Sequence, residues 1–185
     1  GGPTYAWSPD SRTIAVHYVD RRNMRKVPFP HYLGKETVAN NVRRGYPGDP
    51  NEFRTIGFFS VESGNLNLLD IPSPTANRVA GFSWSQSGKL LLDQESDTAT
   101  DRWLYTVDPT DGRLKEIWHD HRDTRIYTSI ASAWHSDGKR VVFLSDLNDR
   151  YGLYLLTPGE EKPDLLTNES FDVTSAPLIN VSANR

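Results

Sequence analysis

Trp134-His135-Ser136-Asp137-Gly138-Lys139-Arg140-Val141-Val142-Phe143 reads as the end of one β-strand, a tight reversal and the start of another. The aromatic closes the first strand, Ser, Asp and Gly supply the turn, and a β-branched run opens the second. The same order occurs in Trp7-Ser8-Pro9-Asp10-Ser11-Arg12-Thr13-Ile14-Ala15-Val16 and in Trp84-Ser85-Gln86-Ser87-Gly88-Lys89-Leu90-Leu91-Leu92-Asp93. Repeated units of this kind bury their apolar faces only against their neighbours, so the repeat outranks any local motif as a guide to architecture. It predicts an all-β chain, a partial β-propeller of about three four-stranded antiparallel blades plus one extra strand.

Trp84 and Trp134 stand 50 positions apart, a length suited to one blade. The stretch between them predicts strands near 89–95, 102–108 and 113–118, with Asp108-Pro109-Thr110-Asp111-Gly112 as a hairpin turn. The next blade opens near 127–134 and continues near 140–145, 152–157 and 164–166, with a turn at Pro158-Gly159-Glu160-Glu161. Trp7 and Trp84 are 77 positions apart, which leaves an excess of roughly 30 residues. That excess falls between strands near 13–19 and 55–61, in a Pro-, Arg- and Asn-rich segment without strand alternation. The expected division is one propeller domain across 1–185: a first blade over about 1–72 with its insertion at about 20–52, a second over about 78–119, a third over about 127–167, and the first strand of a further blade over about 172–181. Long loops inside compact domains usually carry function or lack order, so the insertion is the segment to examine for purpose.

Composition narrows the classes. With 36% hydrophobic and 11% aromatic residues the chain supports a packed core, and a net charge of −3 gives no global basic field for nucleic acid. No apolar run approaches the roughly 18–20 residues that span a bilayer, and Gly1-Gly2-Pro3 does not open like a signal peptide. Zero Cys excludes disulfides, thiolate metal sites and cysteine nucleophiles, and leaves the compartment undefined.

The order of residues resembles the propeller domain of the dipeptidyl peptidase IV family, in the prolyl oligopeptidase clan of serine peptidases. The likeness rests on Trp7-Ser8-Pro9-Asp10-Ser11 followed by Ile14-Ala15-Val16 and Asp20, on Val27-Pro28 and Tyr32-Leu33, and on Tyr46-Pro47-Gly48-Asp49-Pro50-Asn51 leading into Phe58-Phe59-Ser60-Val61. Trp84-Ser85, the Tyr105 to Gly112 strand and turn, Trp134 to Gly138 and Leu153-Tyr154-Leu155 follow in the family's order, so nearly the whole chain is covered. The resemblance implies a non-catalytic partner of an exopeptidase that removes N-terminal dipeptides. Its chemistry belongs to a separate α/β-hydrolase domain with a Gly-x-Ser-x-Gly elbow and following Asp and His, and this sequence contains no such elbow. The family's paired glutamates for the substrate amine lie before the motif at Trp7, outside the sequence. No catalytic residue, metal ligand or cofactor is therefore assigned, and the chain by itself is expected to be inactive. The resemblance also implies a peptide substrate, domain or homodimer contacts through the insertion, and a periplasmic or secreted setting.

Tyr127 falls where the family places an aromatic beside the pocket for the substrate's second residue, and Arg125 would approach a peptide carbonyl. The competing reading makes Tyr127 a packing residue at the start of a strand. His119 and His121, two apart near a strand end, would share one face and bind a metal, but no third ligand is evident and a solvated strand end explains them. Asp93 to Asp97 and Asp146 to Asp149 are oxygen-rich without a calcium loop's spacing, which leaves ordinary turns. Arg21-Arg22-Asn23-Met24-Arg25-Lys26, flanked by Tyr18 and Phe29, reads as a nucleic-acid strip or a solvated loop, and the lack of a supporting basic face favours the loop. Asn168-Glu-Ser and Asn180-Val-Ser fit the glycosylation pattern, a match that short triplets reach by chance. Trp7, Trp84, Trp134, Phe143 and Tyr154 recur at equivalent blade positions and are expected to fill the wedges between sheets. The alternative to a peptidase propeller is a TolB-like protein- or ligand-binding module, against which the long insertion argues. A scaffold for protein partners is the third class, since propellers host many functions.

Overall fold

The computed structural model describes residues 4–71, 77–126, 131–167, 170 and 172–173. Its first sheet takes β1 (Tyr5–Trp7), β2 (Thr13–Asp20), β5 (Phe53–Ser60) and β6 (Leu66–Leu68), paired in that order. Between β2 and β5 lie β3 (Lys26–His31) and β4 (Val38–Arg43), which pair only with each other. The second sheet is a meander of β7 (Asn77–Trp84), β8 (Leu90–Ser96), β9 (Asp101–Val107) and β10 (Leu114–His121). The third repeats it with β11 (Ser132–Trp134), β12 (Val141–Ser145), β13 (Gly152–Leu156) and β14 (Asp164–Leu165). All strand pairings are antiparallel. These are the three four-stranded blades the repeat predicts. Residues 174–181 of the expected extra strand and 127–130 of the expected strand start lie outside the described residues.

The middle sheet shows why the stack forms. All seven residues of β8 are buried, as expected of a strand covered on both faces. Leu90 and Leu92 point into one cluster with Ala15, Ile56, Phe58 and Phe82 of the first two sheets. Leu91 points the other way, into a cluster with Trp118, Trp134, Phe143 and Tyr154. Strand alternation thus delivers one residue set to each seam.

The repeat motif also sets the turns. Ser11, Gly88 and Gly138, each four residues after its tryptophan, carry positive φ of 59°, 81° and 65°. Glycine adopts that geometry freely, whereas Ser11 holds it under strain.

The insertion corrects the sequence reading. It was expected to lack strands, yet β3 and β4 form a six-pair hairpin from Lys26↔Arg43 to His31↔Val38. Arg44 N donates to Arg25 O in the same register, which puts Val27, Phe29 and His31 at the bonded positions. Pro28 and Pro30 then face their missing N–H groups to the open edge, where a strand tolerates proline. A second correction concerns Asp93 to Ser96, read as a turn but located within β8.

Candidate functional site

The meander puts the β1–β2, β7–β8, β9–β10 and β11–β12 turns at one end of the sheets and the intervening connections at the other. The insertion, the β8–β9 loop, the β12–β13 loop and the β10–β11 connection therefore share an end, and side chains tie them together there. Asn51 Nδ2 donates to Asp97 Oδ2 at 2.7 Å, linking the insertion to the β8–β9 loop. Arg122 pairs with Asp120 at 2.9 Å and with Asp146 at 2.7 Å, joining the second sheet to the third. Asp146 is thus held by an arginine.

The connection carrying Arg125 is anchored on both sides. Arg122 N donates to Thr100 O at 2.9 Å and Ile126 N to Ala99 O at 2.7 Å, with Ile126 buried between. Arg125 is exposed beside this anchor. Tyr127, its proposed companion, lies outside the described residues.

Beneath the insertion is an open cleft of about 610 Å³ with Arg21, Arg43, Arg44, Arg54 and Glu52 in its lining. Most of this basic charge is committed. Arg21 and Arg54 both pair with Glu52, and Arg25 pairs with Asp49 at 2.8 Å. Burial opposes ionisation of Glu52, and the two guanidiniums outweigh it, so its carboxyl stays below the usual range. Arg43 Nη1 donates to the carbonyls of Arg21, Arg22 and Met24. The arginine-rich run is therefore partly compensated by local carboxylates.

His119 and His121 do share one face. His119 Nε2 and His121 Nδ1 meet the same Oδ1 of Asp101, at 2.9 and 2.7 Å. Trp103 stacks on His119 with centroids 5.1 Å apart. Burial opposes ionisation of Asp101, while the bonds from His119, His121 and Thr100 hold its carboxyl below the ordinary range. Sequence reading missed Asp101 because its position opposite His121 depends on the β9–β10 register. Among the described residues, no three His, Asp or Glu side chains are arranged to hold a metal ion.

Sequence reading also missed the charged pair inside the second seam. Arg102, 1% exposed, grips Asp93, 0% exposed, through Nε at 3.0 Å and Nη2 at 2.8 Å. Its Nη1 donates to Leu144 O at 2.6 Å, and its guanidinium lies 5.6 Å from the Phe143 ring centroid. One residue of the second sheet thereby fastens the third, and the connections at the Arg125 end sit on that rigid seam. Asp93 is accordingly an ion-pair partner, not a cation ligand.

Three successive four-stranded meanders, stacked face to face through tryptophans at equivalent positions, define a β-propeller portion. The chain belongs to the family described as the dipeptidyl peptidase IV N-terminal region, whose model matches residues 2–185. A putative dipeptidyl aminopeptidase IV from Bacteroides ovatus has a similar structure, with a TM-score of 0.77 at 16% identity, covering 89% of this chain and 26% of that one. Porphyromonas gingivalis dipeptidyl peptidase 4 matches with a TM-score of 0.77 at 16% identity, over 92% of this chain and 25% of that one. TolB from Acinetobacter baumannii matches with a TM-score of 0.52 at 18% identity, over 91% of this chain and 33% of that one. The chain thus spans about a quarter of the two peptidase structures. Comparison with curated proteins gives no significant match.

Proposed function

We propose that this chain is the non-catalytic propeller portion of a dipeptidyl-peptidase-IV-like serine exopeptidase. In that role it restricts and orients the approach of peptide N-termini to a separate α/β-hydrolase domain of the same parent chain. The family match over residues 2–185 is the observation that carries this reading. A wall of packed sheets admits a short or unfolded peptide end and turns away a folded chain, which is a steric filter and not a chemical step. The nucleophile and its base lie in the hydrolase domain.

The proposed substrate-facing end is the one bearing Arg125 and Tyr127. A guanidinium suits a peptide carbonyl because it offers several fixed N–H donors, and Tyr127 is assigned to the wall of the second-residue pocket. The proposed blade limits are about 1–72, 78–119 and 127–167, with a further blade opening at about 172–181. The β3–β4 hairpin projects an apolar tip, with Tyr32 72% and Leu33 92% exposed, and is assigned to homodimer or domain contacts.

Hydrolysis of a Gly-Pro chromogenic amide tests the reading. The full-length parent is expected to release the chromophore and this chain alone to release none. Arg125→Ala in the parent should raise KM while largely sparing kcat, the mark of lost substrate binding. Inactivity of the parent would favour a TolB-like binding module, and activity of this chain alone would overturn the assignment.

A further inference from the structure

The turn end of the sheets carries two clefts at equivalent places, and they differ in charge. The first, about 360 Å³, lies between the first and second sheets with Ser8, Asp10, Gln86, Ser87 and Thr110 in its lining and Trp84 at its base. The second, about 430 Å³, lies between the second and third sheets, with Trp134 at its base and Lys89, Lys115, Lys139 and Asp137 around it. The tryptophans are fixed in the same way: Trp84 Nε1 donates to Ala6 O at 2.9 Å and Trp134 Nε1 to Ser83 O at 3.2 Å. The fold therefore builds the cleft twice, and the sequence places lysines around only one copy.

Those lysines have little local compensation. Among the described residues every ion pair uses arginine or histidine, and none uses lysine. The one carboxylate in the lining, Asp137, is already bonded by Lys139 N at 2.8 Å, Arg140 N at 3.0 Å and Arg140 Nε at 2.6 Å. Lys89 acts on Asp108, whose carboxylate is bonded by Thr110 N and Oγ1. Lys115 and Lys139 are exposed and keep their charge available.

We propose that the cleft between the second and third sheets binds an acidic peptide segment, with its carboxylates on Lys115 and Lys139 and its backbone lying over Trp134. The cleft is at the opposite end of the sheets from Arg125, so a bound segment leaves the proposed substrate face open. The inference does not depend on the peptidase reading.

The test is the fluorescence anisotropy of a labelled octaglutamate peptide titrated with the protein at low salt. Lys115→Gln with Lys139→Gln should weaken binding about tenfold, the scale expected for two exposed charge contacts. Lys26→Gln with Lys35→Gln removes the same charge away from the cleft and should leave binding within about twofold. Lys→Gln changes at exposed positions leave the fold intact, which circular dichroism checks. Equal loss in both pairs, no binding by the unaltered protein, or tighter binding of an oligothymidylate of matched charge would overturn the proposal.

Discussion

The seam between the first and second sheets and the seam between the second and third are built from the same repeat, yet they are held differently. Both contain a tryptophan that donates its indole N–H across the seam to a backbone carbonyl. Among the described residues only the second adds a buried ion pair, in which Arg102 joins Asp93 to the carbonyl of Leu144. Trp7 sharpens the contrast: it occupies the repeat position of Trp134 but is 51% exposed, against 8%. The motif supplies the aromatic, and the neighbouring sheet decides whether it is buried.

The largest break should come from Arg102→Met. It leaves Asp93 charged and unpaired inside the seam, and is expected to lower stability by about 3–5 kcal/mol in urea unfolding. Trp134→Ala should cost about 3 kcal/mol by the same measurement, whereas Trp7→Ala should stay below about 1 kcal/mol because its ring is half in solvent. Trp84→Phe and Trp134→Phe keep most of the packing and remove one hydrogen bond each, so each should cost about 1 kcal/mol. Similar costs for Trp7→Ala and Trp134→Ala would break the comparison.

A pH dependence separates the seams further. The Tyr105 phenol, in the first seam's cluster, is pushed up to about 12 by burial and by the charge of Glu116. The neutral form is favoured in the folded state, so its contribution is complete below the unfolded value near 10 and is lost as pH rises towards about 12. Tyr105→Phe should flatten that alkaline decline in thermal melts. The smallest effect expected is a gain: Ser11→Gly should stabilise by about 0.5–1 kcal/mol by relieving the positive φ that Gly88 and Gly138 adopt without strain.

The legible part of the fold was its short-range grammar. A tryptophan, a polar turn and an aliphatic run locate the turns and strands, since each is decided within about ten residues. What depends on register was hidden. Asp93 lies opposite Leu104, diagonal to Arg102, so their contact follows from the β8–β9 pairing and not from their separation in the chain. Asp101 between His119 and His121 is the same case one strand further on. The hairpin was hidden for another reason: Pro28 and Pro30 argue against a strand until their alternation is set against an unpaired edge. Of the candidate substrate face, Arg125 remains a proposal, while the anchor beside it consists of backbone bonds that side-chain patterns do not encode.

The most direct measurement compares two substrates of the full-length parent that share a Gly-Pro N-terminus, one a small chromogenic amide and the other a folded domain. If the propeller filters access, the amide is cleaved and the folded domain survives until it is unfolded. Equal cleavage of both would contradict the account.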